Sequence, residues 1–232
     1  MISGSTRLVA LLGQPVAESL SPRMHNAAFA ARGLDWAYVA CEVAPERFDS
    51  AIRGLDDLGF AGANVTIPHK RAAAGLSDEA EGPSVNTLVF RDGRSFGFNT
   101  DKEIVAGIEA ERVCLIGDGG AAAALLPALT GEVRTFSRTG KWPPDASDAD
   151  LILNATPVRD ELFVEPRPGQ TVVDLAYRAD GGATALVEAA RAVGCEVVDG
   201  LEALVRQGAA SFELWTGVAP PVDAMRAAVR SA

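Results

Sequence analysis

The chain has 232 residues, of which 48% are hydrophobic and 22% charged, which suffices for a globular protein of one large or two modest domains. Its formal net charge is -10, from 21 basic and 31 acidic residues. Nucleic acids and anionic membranes are bound through clustered positive charge, so this acidic balance argues against both. We expect small-molecule ligands that are held by local groups.

The N-terminal apolar run is too short for a secretion signal, because Gln14 and Pro15 interrupt it. It is more typical of a first β-strand. Cys41, Cys114 and Cys195 lie far apart and form no CxxC pair, as expected for free thiols in a reducing compartment. The sequence therefore predicts a cytoplasmic protein.

The first half alternates short apolar runs with longer alanine-rich segments. The strand-like runs are LVALLG, YVACEV and GANVTI, and the helix-like segments are PRMHNAAFAARG, PERFDSAIRGLDDLG and PHKRAAAGL. The second half repeats the scheme with RVCLIG, VRTFS, DLILNAT, TVVDLAY and CEVVDG, and closes with a helix pair from Glu202 to Ser231. Parallel strands need long crossovers, so this alternation predicts parallel sheets covered by helices.

Between the halves, the sequence SFGFNTDKEIVAGIEAERV changes from strand-like to helix-like near Asp101. We expect one sheet to end there and a connecting helix to begin, with a cleft between two sheets.

A glycine-rich turn follows the strand-like RVCLI. Residues 117–122 read G-x-G-x-x-A and lead directly into a helix-like run, which is the context of a dinucleotide-binding loop. Gly117 permits the tight turn, Gly119 allows close approach of a pyrophosphate, and the first helical N–H groups, from Gly120 and Ala121 onward, face the phosphates. A plain strand-to-helix turn is the alternative interpretation.

The residues after the second strand of this half favour NADP over NAD. Ser137, Arg138 and Thr139 stand where a carboxylate would bind the ribose hydroxyls of NAD, and an arginine there suits the 2'-phosphate. A solvated strand-end arginine is the alternative. The following segment, 140–150, contains two prolines and is too short for a helix and a strand. We therefore predict a nucleotide-binding sheet narrower than the usual six strands.

Polar residues at the ends of the first-half strands suggest a catalytic site. Lys70 closes the run NVTIPHK, Asn86 follows a loop, and Asp101 ends the first half. A lysine and an aspartate that converge suit proton transfer to an oxygen while a hydride moves at the adjacent carbon. No metal site is predicted, because His25 and His69 lack metal-ligand spacing and are interpreted as structural.

Ordered motifs over nearly the whole chain resemble the shikimate dehydrogenase family. They are SLSPRMHN (19–26), NVTIPHK (64–70), VNT (85–87), FNTD (98–101), GDGGA (117–121), SRT (137–139), NATP (154–157), DLAY (174–177) and QGAASFELWTG (207–217). The resemblance implies an α/β enzyme that reduces 3-dehydroshikimate to shikimate with NADPH, as a monomer or homodimer. It also implies a substrate domain (1–101 with 208–232) and a shortened Rossmann-like NADP domain (102–207), with the last helix returning to the first domain.

The resemblance assigns roles to matched positions. Ser19 and Ser21 hold the substrate carboxylate. The substrate hydroxyls are held by Asn64, Thr66, Asn86 and Asp101, and Lys70 is the catalytic lysine, working with Asp101. Tyr177 and Gln207 complete the substrate pocket. The cofactor-binding residues are Gly117, Gly119, Gly120, Ala121, Ser137, Arg138 and Thr139.

Simpler roles exist for several of these residues. Ser21 precedes a proline and suits a helix start, Asn86 a turn, Tyr177 a strand end and Gln207 a helix surface. Two other functions remain open: a sister oxidoreductase acting on quinate or aminoshikimate, and a non-catalytic metabolite-binding or regulatory protein. Retention of both the lysine and the aspartate argues against the second.

Overall fold

A computed structural model describes residues 2–231 and confirms the predicted two-domain α/β fold. One compact unit runs through Thr100 and resumes at Gln207–Ser231, and the other is Asp101–Arg206. These boundaries lie one residue from the predicted ones. The outermost residues of the predicted domains, 1 and 232, lie outside the described residues.

The first unit is built on a six-stranded sheet in the order β2-β1-β3-β5-β6-β4. Its elements are β1 (Arg7–Gly13), α1 (Ser21–Ala31), β2 (Trp36–Glu42), a 3₁₀ turn (Pro45–Arg47), α2 (Phe48–Asp57), β3 (Gly62–Val65), α3 (Lys70–Leu76), β4 (Glu79–Ala80), β5 (Thr87–Arg91) and β6 (Arg94–Phe98).

The expectation of a parallel sheet is correct for β1, β2 and β3 but wrong for β5, which runs antiparallel to both β3 and β6. A two-residue hairpin loop accounts for the pairing of β5 with β6. Asp92 and Gly93 have φ angles of 55° and 69°, and this left-handed pair reverses the chain between β5 and β6.

Helix α2 shows how the sequence fixes the packing of this sheet. Phe48, Ile52 and Leu55 recur at helical spacing and are buried in one cluster with Leu12 and Leu88 of the strands. The C-terminal helix α7 (Val222–Arg230) packs against α1, which returns the chain end to the first unit as predicted.

The second unit holds an entirely parallel sheet of five strands in the order β11-β10-β9-β7-β8. Its elements are a 3₁₀ turn (Thr100–Ile104), β7 (Arg112–Ile116), α4 (Gly120–Leu125), a 3₁₀ turn (Leu126–Ala128), β8 (Glu132–Phe136), β9 (Leu151–Asn154), β10 (Thr171–Asp174), α5 (Ala185–Ala192), β11 (Glu196–Val198) and the start of α6 (Gly200–Thr216). The prediction of fewer than six strands is confirmed.

Alternating side chains of β7 cover both faces of this sheet. Val113 and Leu115 pack into one apolar cluster, and Cys114 and Ile116 pack into another. A strand buried on both faces needs a continuous apolar run, which explains the sequence RVCLI. Burial raises the pKa of the Cys114 thiol to about 12.

The expected connecting helix after Asp101 is not formed. The chain makes only the 3₁₀ turn Thr100–Ile104, and Gly107 has a φ of 77°, a conformation with which a right-handed helix cannot continue. Within residues 2–231, every helix falls short of the length and apolar character that a membrane crossing requires.

Candidate active site

An amide–hydroxyl cluster, formed by Asn64, Asn86, Thr87, Thr100 and Ser211, lies at the end of β3 in the first unit. The Nδ2 of Asn64 donates to the Oγ1 of Thr87 at 3.0 Å, to the Oγ of Ser211 at 3.0 Å and to the carbonyl of Asn86 at 3.1 Å. All five residues are less than a tenth exposed. This network fixes the orientation of the Asn64 amide.

Asn86 is held equally firmly by its neighbours in the cluster. Its Oδ1 accepts hydrogen bonds from the backbone N–H of Thr100 at 2.8 Å, the Oγ1 of Thr100 at 3.1 Å and the Oγ1 of Thr87 at 3.1 Å. Asn86 is therefore more than a turn residue, because its side chain joins β5 to the segment that precedes Asp101.

Helix α6 contributes Ser211 to the cluster and carries Gln207 one turn earlier. The hydroxyl of Ser211 lies 2.8 Å from the Oγ1 of Thr87 and 3.2 Å from that of Thr100, and it contacts the carbonyl of Gln207 at 3.1 Å. Gln207 itself is half-buried. The two residues share one helix face because they are four positions apart.

The two predicted carboxylate-binding serines lie close together at the start of α1. The backbone N–H of Ser21 donates to the Oγ of Ser19 at 3.3 Å. Tyr38, which is hydrogen-bonded to Ser21, donates its hydroxyl to the Oδ1 of Asn64 at 2.8 Å. Burial raises the pKa of Tyr38 far above its ordinary value, so its hydroxyl stays protonated as a donor. Ser21 therefore starts the helix, as the simpler interpretation predicted, and it also connects to the amide–hydroxyl cluster.

Lys70 is the first residue of α3, and its backbone is tied to the segment that precedes β5 and carries Asn86. Its carbonyl accepts the N–H of Val85 at 3.0 Å. Thr66, four residues earlier, is anchored to β1 through the carbonyl of Leu12 at 2.9 Å. Both side chains are half-buried. Asp101, 8% exposed, lies in the 3₁₀ turn directly after Thr100.

The two histidines have structural surroundings. His69 contacts the carbonyl of Val43 through its Nε2 at 2.7 Å and stacks on Phe48 with ring centroids 4.2 Å apart. His25 is fully buried and stacks on Tyr38 with centroids 4.5 Å apart, and neither of its ring nitrogens has a hydrogen-bond partner among residues 2–231. Burial lowers the pKa of His25 to about 3.

In the second unit, the glycine loop follows β7 with the conformation that its sequence predicts. Gly117 has a φ of 112°, and a Cβ there would come within 3.3 Å of Ala155 and Thr156, which follow β9. Only glycine fits that position. By contrast, a Cβ on Gly119 or Gly120 would meet no atom within 4 Å, so the outer surface of the loop is open to a ligand.

The predicted phosphate-binding segment follows β8 and faces two carboxylates. Arg138 forms an ion pair of 2.7 Å with Glu161, and the Oγ1 of Thr139 donates to Asp118 at 2.8 Å. Hydrogen bonds from Thr139 and then Ser137 lower the pKa of Asp118, so it is ionised.

A second polar network lies at the ends of β9 and β10. The carboxylate of Asp174, fully buried, accepts hydrogen bonds from the Nδ2 of Asn154 at 2.8 Å, from Thr184 at 2.5 Å and from the N–H of Ala176 at 3.0 Å. Burial raises the pKa of Asp174. The bond to Ala176 fixes the backbone immediately before the half-buried Tyr177.

Comparisons with known proteins show which family the chain is similar to. The model described as the shikimate dehydrogenase substrate binding domain matches residues 11–87, and that described as the shikimate 5'-dehydrogenase C-terminal domain matches residues 200–230. The shikimate dehydrogenase (NADP(+)) of Rubrobacter xylanophilus is 40% identical, with 98% of this chain and 97% of the relative covered. The chain belongs to the shikimate dehydrogenase family.

Solved structures of family members are similar throughout. A shikimate dehydrogenase in complex with NADP+ has a TM-score of 0.88 and 32% identity, covering 99% of this chain and 96% of its own. The Thermus thermophilus enzyme in complex with NADP(H) and shikimate has a TM-score of 0.81 and 32% identity, covering 97% and 99%. The alignment with the Rubrobacter enzyme extends over 280 positions, so that enzyme has segments without counterpart in the 232 residues here.

Several residues of this shikimate dehydrogenase family member escaped the sequence reasoning. Ser211 stands inside a recognised motif, and its spacing of four from Gln207 was the available signal. Tyr38 stands only in a strand-like run, and Asp174 stands in a strand-like run and in the DLAY motif, where it has no predicted role of its own. No local pattern predicts the contact of Glu161 with Arg138, because the two residues are 23 positions apart in the chain. Among residues 2–231, no group of three His, Cys, Asp or Glu side chains could hold a metal ion.

Proposed function

We propose that this protein catalyses the reversible, NADP-dependent reduction of 3-dehydroshikimate to shikimate. The observation that carries the proposal is the similarity to NADP-dependent shikimate dehydrogenases, which covers 98% of the chain and therefore both compact units. In this reaction a hydride adds to the carbonyl carbon of the substrate and a proton adds to its oxygen, so that a ketone becomes an alcohol.

Most of the proposed substrate-binding residues belong to the first unit. Ser19 and Ser21 receive the carboxylate, because hydroxyl donors beside a helix start can hold a small anion without a basic surface. The ring hydroxyls are held by Asn64, Thr66, Asn86 and Asp101, and Tyr177 and Gln207 are the other proposed substrate-binding residues. The amide–hydroxyl cluster supports this role, since it fixes both asparagine amides before any ligand arrives.

Lys70 is the proton donor to the carbonyl oxygen in the direction of reduction. Its position at the start of α3, anchored through Val85 beside the Asn86 segment, supports this role. An ammonium group protonates the oxygen as negative charge develops there. Asp101 works with Lys70, and its carboxylate accepts a hydrogen bond from a substrate hydroxyl.

NADP binds to the second unit, and the residues present fit it. The open surface of the glycine loop admits a pyrophosphate at Gly117, Gly119, Gly120 and Ala121. The 2'-phosphate is bound by Ser137, Arg138 and Thr139, all of which carry hydrogen-bond donors. When bound, the reduced nicotinamide supplies the hydride for the reaction.

The test is a turnover assay on the full chain. Absorbance of the reduced nicotinamide is followed with NADP+ or NAD+ and, in turn, shikimate, quinate or aminoshikimate. Fastest turnover with NADP+ and shikimate supports the proposal. Faster turnover with quinate or aminoshikimate would mean that this compound, and not shikimate, is the substrate. Ligand binding without any turnover would favour a regulatory protein.

A cytoplasmic location is proposed as well. Cys41, Cys114 and Cys195 are free thiols in the structure, which suits a reducing compartment. Fractionation of cells that express the full-length protein tests this.

A further inference from the structure

The guanidinium of Arg138 is paired with a carboxylate on a distant loop. Its NH2 lies 2.7 Å from the Oε2 of Glu161, which belongs to the segment between β9 and β10. Both side chains are 59% exposed. Since a guanidinium group donates hydrogen bonds to a carboxylate or to a phosphate with similar geometry, Glu161 occupies a position that a phosphate oxygen could take.

Aromatic packing supports the same pairing. Arg138 lies over the ring of Trp142, at 5.6 Å from its centroid, and Trp142 contacts Phe163 with centroids 5.9 Å apart. Phe163 is two residues from Glu161, so the loop that supplies the carboxylate is also held against the aromatic ring beside the arginine. Two independent contacts therefore bring this loop to Arg138.

The neighbours of Arg138 face a second carboxylate. Thr139 donates to Asp118 at 2.8 Å, and the hydroxyls of Ser137 and Thr139 lie 3.1 Å apart. Asp118 belongs to the glycine loop, so a change there would disturb the binding of any dinucleotide. Glu161 lies outside that loop, so a substitution there can change the surroundings of Arg138 without changing the glycine loop itself.

We propose that Glu161 is a specificity-determining residue that competes with the 2'-phosphate of NADP for Arg138 and thereby lowers the preference for NADP over NAD. The inference rests on the proposed cofactor role of Arg138. NADP+ must exchange the carboxylate for its own phosphate, whereas NAD+ has no group that makes this exchange. The exchange is feasible because an exposed ion pair contributes little to stability, while a phosphate carries more charge than a carboxylate.

The experiment compares Glu161→Gln with Glu165→Gln in the full chain. Glu165 is an exposed glutamate four residues away, so both variants change the net charge equally. Dissociation constants for NADP+ and NAD+ are measured by calorimetry at low and high salt. We expect Glu161→Gln to tighten NADP+ binding by about threefold to tenfold at low salt and less at high salt, with NAD+ unchanged. Glu165→Gln should change neither constant by as much as twofold.

Arg138→Ala, alone and combined with Glu161→Gln, separates the inference from the function on which it rests. If the inference is right, Arg138→Ala weakens NADP+ binding and removes the effect of Glu161→Gln. Equal effects of the two glutamine variants, or none from Glu161→Gln while Arg138→Ala still weakens binding, would overturn the inference and leave the proposed function standing. Wild-type protein that binds no NADP+ would overturn both.

Discussion

The hydroxyl of Ser211 lies 3.0 Å from the Nδ2 of Asn64, although 147 positions separate the two residues in the chain. This contact joins α6 to the end of β3. Because the Oδ1 of Asn64 also accepts a hydrogen bond from the hydroxyl of Tyr38, both ends of its amide group are held. Ser211 is therefore a positioning residue for the proposed substrate site.

Replacement of this hydroxyl should impair substrate binding. In Ser211→Ala the Asn64 amide loses one of its three acceptors, and Thr87 and Thr100 lose a hydroxyl partner; each lost hydrogen bond contributes about 0.5–1.5 kcal/mol to holding the cluster in place. We expect KM for shikimate to rise about tenfold while KM for NADP+ stays unchanged. Thr216→Val is the control, since its hydroxyl bonds only backbone groups around its own helix end. A general loss of folding would instead lower kcat and leave both KM values unchanged, because it only reduces the amount of active enzyme.

Loss of the proposed proton donor should affect turnover. Lys70→Ala is expected to lower kcat by about 10²- to 10⁴-fold with little change in KM, as for removal of a general acid. Arg71→Ala, which removes an exposed cation from the next position of α3, is the control. Asp101→Asn should also lower kcat. If it raised only KM, Asp101 would bind substrate without assisting the proton transfer.

The proposed carboxylate site predicts a defect that depends on substrate charge. A hydrogen bond to a charged group contributes about 1.5–3 kcal/mol, so Ser19→Ala should raise KM for shikimate about tenfold to a hundredfold. Ser50→Ala, on the surface of α2, should have no effect. An analogue without the carboxylate should be equally poor with wild type and Ser19→Ala. Equal fold losses for both substrates would mean that Ser19 does not bind the carboxylate.

Short-range sequence patterns predicted most of the strands and the glycine turn. The strands β1 to β3 and β7 to β11, the glycine at position 117 and the narrow nucleotide sheet all follow from short-range patterns and loop length. The DG pair at 92–93 predicts the β5–β6 hairpin by the same logic, but this signal was missed. Contacts such as Ser211 with Asn64 and Glu161 with Arg138 could not be predicted, because only the tertiary fold brings those segments together.

The buried His25 predicts an acid-sensitive fold. Its folded pKa of about 3 lies below the unfolded value of 6.5, so only the unfolded state takes up this proton between the two values. Stability is complete above pH 6.5 and falls as the pH decreases toward 3, by up to about 1.4 kcal/mol per pH unit. In His25→Phe this contribution to the slope of unfolding free energy against pH should vanish. The slope is the readout, because any packing cost of the larger ring does not depend on pH. An unchanged slope would mean that His25 titrates normally.

Asp174 predicts the opposite pH dependence. Its carboxylate has only neutral hydrogen-bond donors, from Asn154, Thr184 and the Ala176 N–H, and burial first, then the charge of Asp199, raises its pKa. A raised folded pKa means that its contribution to stability is complete below the unfolded value of 3.8 and is lost as the pH rises through the folded value.

Asp174→Asn removes this titration and keeps an oxygen for Asn154 and the Ala176 N–H, while its new NH₂ group faces the Thr184 hydroxyl. Urea unfolding should therefore show a variant that gains stability relative to wild type as the pH rises from 4 to 8. Asp150→Asn is the control: hydrogen bonds from Arg112 lower the pKa of Asp150, so its favourable charge contributes fully above the unfolded value of 3.8, and the variant should lose a nearly constant amount of stability from pH 4 to 8. If Asp174→Asn loses as much stability at pH 8 as at pH 4, ionisation of this carboxylate carries no penalty in the folded protein.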